Sequence, residues 1–228
     1  MLRARPLGEA DRIIRLYTTD RGKLDAVAKG VRRAKSHFAG RLEFGNECDL
    51  QMHQGRSLDV IVGADIVHAP WERLVEPDRF ATAQLAAELI DAFCEPELAM
   101  PDVYELLAGV LRAIAASQEP RTLVPRFSLR LLSSLGIEPP FERCVRCGKP
   151  LDGPRVWVDP QNGGLIGASC RESWRDLIEL DEVDVRNLAD LGAPRGAARA
   201  SVHARPRVAA AIAEIVTHHL GRKPKAAS

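Results

Sequence analysis

DRIIRLYTTDRGKLDAVAKGVRRAKSHFAGR, residues 11–41, changes its pattern twice within one short span. Residues 11–19 carry Ile13, Ile14, Leu16 and Tyr17 in a window of strand length. After the Gly22 turn the chain alternates. Leu24, Ala26 and Ala28 fall on one side, with Lys23, Asp25, Val27 and Lys29 on the other. A period of two over this length predicts a half-buried strand, which Gly30 ends. From Arg32 to Arg41 the period disappears and cations crowd in, which predicts a loop.

The same period continues downstream. Over 47–54, Cys48, Leu50 and Met52 are expected inward, with Glu47, Asp49, Gln51 and His53 outward. Gly55-Arg56 marks a tight turn. Residues 57–67 then place Leu58, Val60, Val62, Ala64 and Ile66 on one side, completing a hairpin. Short strands joined by glycine turns over 1–70 predict a small β-barrel, which would leave no exposed sheet edge.

Past Pro70-Trp71 the period lengthens. Residues 78–94 set Phe80, Leu85, Leu89 and Phe93 near one helical stripe, with Asp78 as the expected cap. Residues 102–117 form a second helix, starting at Pro101-Asp102, with Val103, Leu106, Leu107, Val110, Leu111 and Ile114 as its stripe. A third over 121–135 carries Leu123, Phe127, Leu131 and Leu135, admits Pro125 in its first turn and ends at Gly136. Residues 144–170 read as turns and short strands, and 180–191 and 206–220 as further helices. The expected fold is α+β and multidomain: a barrel at 1–70, an all-α domain over 71–143 and 171–228, and an insertion at 144–170.

The 228 residues are 46% apolar and 28% charged, which excludes wholesale disorder. No apolar run reaches membrane-spanning length, and MLRARPLGEADR lacks the apolar core of a signal peptide. Five cysteines do not make a secreted disulfide framework. A soluble chain in a reducing compartment is expected. The net charge of +1 hides a polarity: residues 1–41 hold eleven Lys/Arg against four Asp/Glu, whereas 76–143 hold six against eleven. A basic surface of this kind can bind polyanions whatever the total charge.

Two constellations could carry chemistry. Cys144-x-x-Cys147-Gly148 is half of a zinc knuckle, since two thiolates at this spacing can grip one tetrahedral ion above a tight turn. Cys170 would be a third ligand, but Ser173 stands where a second pair would place the fourth. That fourth ligand could be Glu172, solvent or a distant His, or the element could be a metal-free ribbon packed around Trp157. No thioredoxin-like context supports redox use of the pair. The other constellation is the basic cluster of Lys29, Arg32, Arg33, Lys35, His37 and Arg41, which Arg12, Arg15 and Lys23 could join from neighbouring strands. Charge and reach suffice for phosphate contacts. Phe38 could stack on a base or anchor the loop. Cys48 and Cys94 read as small buried hydrophobes, His218-His219 as surface or packing residues, and Asp181-Glu182 as helix-capping acids. No phosphate-binding glycine loop, metalloprotease motif or nucleophile elbow is present, so no catalysis is expected.

These blocks resemble the RecO family of bacterial DNA repair proteins. The likeness runs through RPLGEADRIIRLYTTDRGKLDAVAKGVRRAKSHFAGRLEFGNECDLQMHQGR at 5–56, then Phe127-Ser-Leu-Arg130-Leu-Leu and Leu135-Gly136-Ile137-Glu-Pro139. It continues in Cys144-Val-Arg-Cys147-Gly and His218-His219-Leu220-Gly221-Arg222. The resemblance implies an N-terminal OB-fold barrel, a helical domain and a zinc-ribbon-like insertion at 144–170. It implies non-catalytic binding of single- and double-stranded DNA, strand annealing, and work with RecR to load RecA where single-strand-binding protein coats the DNA. The DNA contacts would fall on Arg12, Arg15, Lys23, Lys29, Arg32, Arg33, Lys35 and Arg41. Arg126 and Arg130 would receive the acidic C-terminal tail of the single-strand-binding protein. Zinc would be held by Cys144, Cys147 and Cys170, and the location would be cytoplasmic and nucleoid-associated. An adaptor that recruits repair partners with little DNA binding of its own is the alternative, because the acidic middle suits protein contacts. A nuclease would need clustered carboxylates, and none is apparent. The chain departs from the family in having Ser173 at a cysteine position. It departs also in having only Met1 to Arg5 ahead of an expected Pro6-Leu7-Gly8 turn, so that a short first strand would leave barrel edge unpaired.

Overall fold

The computed structural model describes residues 1–38, 40–151, 153–172, 176–193 and 203–227. They form two compact units, 1–121 and 122–228.

The first unit starts with β1 (Arg3–Leu7), β2 (Asp11–Thr18), β3 (Gly22–Ala28), β4 (Glu47–His53) and β5 (Asp59–His68). They make one sheet in the order β1-β2-β3-β5-β4, antiparallel except for β3 and β5, which pair in parallel from Ala26↔Asp59 to Ala28↔Ile61. Pro6 and Leu7, expected in a turn, belong to β1 and pair with Arg12 and Asp11. Pro6 is tolerated because β1 is an edge strand. The expected closed barrel is not found: β1 and β4 end the sheet without a shared ladder. All five β1 residues pair with β2. Met1, ahead of the strand, reaches toward the start of β4, its carbonyl accepting from Gly45 N–H at 3.1 Å and its amino group donating to Asn46 O at 2.9 Å.

One face of this sheet buries Ile14, Leu16, Leu24, Ala26, Ala28, Ile61 and Ala64, joined by Phe38 and Leu42 from the loop after β3. The alternation expected for β5 does not hold. Ile61 is 2% exposed and Val62 is 40% exposed, the reverse of the pattern over 57–67. The register slips between Gln51↔Gly63 and Met52↔Ile61, leaving Val62 unpaired. A bulge of this kind moves the following side chains to the other face, here as far as a second shift between Cys48↔Ile66 and Glu47↔His68. Gly22 permits the β2–β3 turn at φ +66°, and a Cβ there would lie 2.0 Å from the Leu98 carbonyl oxygen, so only glycine fits.

α1 (Trp71–Leu74), α2 (Pro77–Phe93) and α3 (Pro101–Ala116) complete this unit. On α2 the buried face is Thr82, Ala83, Ala86, Ala87, Leu89 and Ile90, not the expected stripe of large residues. Small side chains let α3 approach closely, and Phe80 instead meets Phe44 and Trp71 edge-on. Asp78 does not cap α2. The N-cap is Glu76, and Asp78 Oδ1 accepts from Arg121 Nη2 at 2.7 Å. The α3 stripe is buried as read, except that Val110 is half-buried.

The second unit contains α4 (Val124–Ser134), β6 (Arg155–Asp159), β7 (Gly164–Ile166), β8 (Glu179–Asp181), α5 (Glu182–Gly192) and α6 (Pro206–Leu220). α4 ends where expected, with Gly136 and Ile137 N–H donating to the Ser133 and Leu132 carbonyls at 3.0 Å. α5 opens on a capping box between Asp181 and Asp184. The three strands form an antiparallel sheet ordered β7-β6-β8. Among the described residues, no helix is long and apolar enough to cross a membrane.

Candidate nucleic-acid interface and cysteine cluster

The segment from Lys29 to Asn46 leaves the sheet and returns to it, and both ends are fastened. At the start, Gly30 N–H donates to Asp11 Oδ1 at 2.7 Å and Arg32 N–H to Ala10 O at 2.9 Å. At the end, buried Asn46 donates through Nδ2 to the Gly40 and Arg41 carbonyls, at 3.0 and 3.3 Å. In the middle Phe38 is 2% exposed within the sheet core. The base-stacking reading of Phe38 is therefore overturned, because a ring buried there cannot meet a base. Asn46 and Asp11 were not legible as loop anchors, since a single polar residue beside a turn looks like any other.

Between these anchors Lys29, Arg32, Arg33, Lys35 and His37 are exposed. Arg32 Nη1 donates to Gly8 O at 3.3 Å, and half-buried Arg41 donates from Nη1 to His37 O at 2.9 Å. Among the described residues, no carboxylate lies within 4.0 Å of Lys29, Arg32, Arg33, Lys35 or Arg41, nor of half-buried Arg12. Their charge is directed to solvent, in an arrangement suited to a polyanion.

Arg15 and Lys23 are placed differently. Arg15 Nε and Nη2 donate to the two oxygens of Asp25 at 2.7 and 2.8 Å, and Nη1 to Asp91 Oδ1 at 2.7 Å. These bonds raise the guanidinium pKa and hold the Asp25 carboxyl below its ordinary value. Lys23, buried in the sheet, donates to the Asp91 carbonyl at 2.5 Å. Asp91 on α2 is thus a charge-paired tie between helix and sheet that nothing in the sequence pattern identified. Arg126 and Arg130 lie one turn apart on α4 in the second unit, both half-buried.

The cysteine cluster is also in the second unit. The ligand atoms of Cys144, Cys147 and Cys170 all lie within 4.8 Å of one another. Cys144 N–H donates to Lys149 O and Gly148 N–H to Cys144 O, both at 2.8 Å, closing a knuckle in which Gly148 takes φ +72°. Val145 N–H joins this turn to β7 through Leu165 O at 2.9 Å. Cys144 packs with Trp157 and Ile166, and Cys147 is exposed. Burial pushes the Cys144 thiol up, but N–H groups of Gly167, Cys147 and Arg146 and the Cys147 thiol outweigh it, leaving a pKa of about 7. The neighbouring Cys147 and Cys144 thiols, then burial, push Cys170 up to about 11. Three sulfurs competing for protons at this spacing suit a thiophilic cation, so the residues present fit a metal ion. Ser173 lies outside the described residues.

Arg146 supports the cluster. It donates from Nε to Asp159 Oδ2 at 2.5 Å, and from Nη1 to Glu172 Oε1 at 2.9 Å and Cys170 O at 3.3 Å. Burial raises the Asp159 pKa, but bonds from Arg146, Asn162 Nδ2 and Gln161 N–H prevail and bring it down to about 2.

The family described as "Recombination protein O N terminal" matches residues 1–70, and "Recombination protein O C terminal" matches 75–227. The chain is 39% identical over 177 residues to the DNA repair protein RecO of a Nocardioides strain, covering 75% of this chain and 72% of that one. It is 37% identical over 182 residues to the RecO protein of Cutibacterium acnes, with the same coverage of 75% and 72%. With that of Frankia casuarinae it shares 35% identity over 228 residues, covering 97% and 92%.

Proposed function

The chain belongs to the RecO family of DNA repair proteins, and on that premise we propose that the loop after β3 binds DNA backbones without catalysis and anneals complementary strands. The carrying observation is that Lys29, Arg32, Arg33 and Lys35 are exposed on a fastened loop with no carboxylate within 4.0 Å among the described residues. Two like-charged strands repel; fixed cations beside both screen that repulsion and release condensed counterions. Arg12 and Arg41 flank this surface. Arg15 and Lys23 serve it indirectly, holding β2 and β3 to α2 through Asp91. The strand order, with its parallel β3–β5 pair, supports reading the sheet as an OB-type fold opened between β1 and β4.

In this reading the protein works with RecR to load RecA where single-strand-binding protein covers the DNA, in the cytoplasm at the nucleoid. Arg126 and Arg130 receive the acidic tail of that protein, since guanidinium pairs suit a terminal carboxylate. Cys144, Cys147 and Cys170 hold zinc as a structural ion. The test is fluorescence annealing of complementary oligonucleotides, bare and protein-coated. The native chain accelerates both reactions, and Arg32→Ala/Arg33→Ala/Lys35→Ala loses most of the acceleration while keeping its far-ultraviolet circular dichroism. Undiminished annealing by a folded triple variant contradicts the assignment.

A further inference from the structure

We infer that the cysteine cluster is a three-thiolate metal site whose fourth position is open and takes an external thiolate from a small aliphatic thiol. This rests on the metal reading above and deepens it. Among the described residues, no His, Asp or Glu joins Cys144, Cys147 and Cys170. Glu142 and Glu172 each stand two residues from a cluster cysteine and neither joins the sulfurs; Glu172 Oε1 instead accepts from Arg146 Nη1 at 2.9 Å. The residues outside the described set include no His or Cys, and their one acidic side chain is Asp152. Three protein ligands leave a tetrahedral ion one position short, and such positions accept exogenous donors.

Access and charge favour a soft anionic donor. Cys147 is exposed, so the sulfurs open to solvent on that side, while Cys144 closes the other against Trp157 and Ile166. Three thiolates on a divalent ion carry one net negative charge, and a fourth makes two. Of the two guanidiniums at the same element, Arg171 is left to offset it, since Arg146 already faces two carboxylates. Arg146 is held by Asp159, Glu172 and the Cys170 carbonyl, and Arg171, next to Cys170, sits 4.7 Å over the Trp157 ring. Soft thiolate ligands match this site better than a carboxylate or hydroxyl does. The incoming thiol loses its proton to solvent as its sulfur enters the open position, and no oxidation state changes.

The test is Co(II) substitution of the full chain, read by absorption. Co(II) alone should give a sulfur-to-metal charge-transfer band and visible tetrahedral bands. Saturating 2-mercaptoethanol should then raise the charge-transfer intensity by about one third, as three thiolates become four. Asp152→Asn should respond in the same way. Ser173→Cys, which restores the Cys-x-x-Cys spacing, should show the higher intensity from the start and no thiol response. A Co(II) spectrum indifferent to the thiol overturns the open position while leaving the metal reading intact. Absence of any charge-transfer band overturns both. A response to imidazole alone overturns the choice of donor, and a rise that tracks protein concentration without added thiol assigns the fourth sulfur to a second copy of this chain.

Discussion

Phe38 sits in the most charged loop of the chain, yet its ring lies in the sheet core at 2% exposure. It converts a flexible cationic excursion into a surface held at its centre. Phe38→Ala should cost about 3–5 kcal/mol, the range for emptying a buried aromatic site. Urea denaturation checks this, and a loss within ordinary surface scatter would place the ring outside the core. Asp159 makes a different residue-scale case. It is fully buried, and its pKa is about 2 against an ordinary 3.8. A carboxyl depressed on folding stabilises the fold above its unfolded pKa and loses that contribution as pH falls through the folded value. The destabilisation caused by Asp159→Asn should therefore be full at pH 6 and should shrink between about pH 4 and pH 2. Denaturation series of both proteins across that window check it; a difference constant with pH contradicts the ion-paired role.

At the scale of elements, the bulge in β5 decides which side chains reach the core. Ile61→Ala should cost about 2–5 kcal/mol, whereas Val62→Lys should stay within roughly 0.5 kcal/mol of the native chain. An unbulged strand would reverse that order, and paired melting curves distinguish the two. β2, β3 and the five longer helices were legible because hydrophobic period speaks directly about one element. The bulge was not, since Val60, Val62, Ala64 and Ile66 fit an unbroken alternation and the pairing with Gln51 and Met52 breaks it. The alanine-rich face of α2 escaped for a related reason: Ala83, Ala86 and Ala87 bury little area each, and become an interface only when α3 is beside them. Barrel closure depends on how far β1 extends along β4, a property of two strands far apart in sequence. Of the candidate sites, the cation run and the cysteine spacing were visible as local patterns. The diversion of Arg15 and Lys23 to Asp91 was not, because Asp91 comes 76 and 68 residues later.

For the whole molecule, a net charge of +1 gives no hint of polyanion binding. What matters is where acids meet bases. In the first unit the carboxylates of Asp25 and Asp91 neutralise inward cations, and the loop after β3 keeps its charge exposed. The fold sorts cations into structural and available ones, and the fastened loop after β3 gathers a run of the available ones. Counterion release makes that sorting measurable, since each phosphate contact adds about 0.7 to the salt slope for single strands. The most direct measurement is the Kd of a fluorescent single-stranded oligonucleotide between about 50 and 200 mM salt, for the native chain and for Arg32→Ala/Arg33→Ala/Lys35→Ala. The account predicts a linear log–log loss of affinity whose slope falls by about 2 in the triple variant. A flat salt response, or the same slope with and without those three side chains, would contradict it.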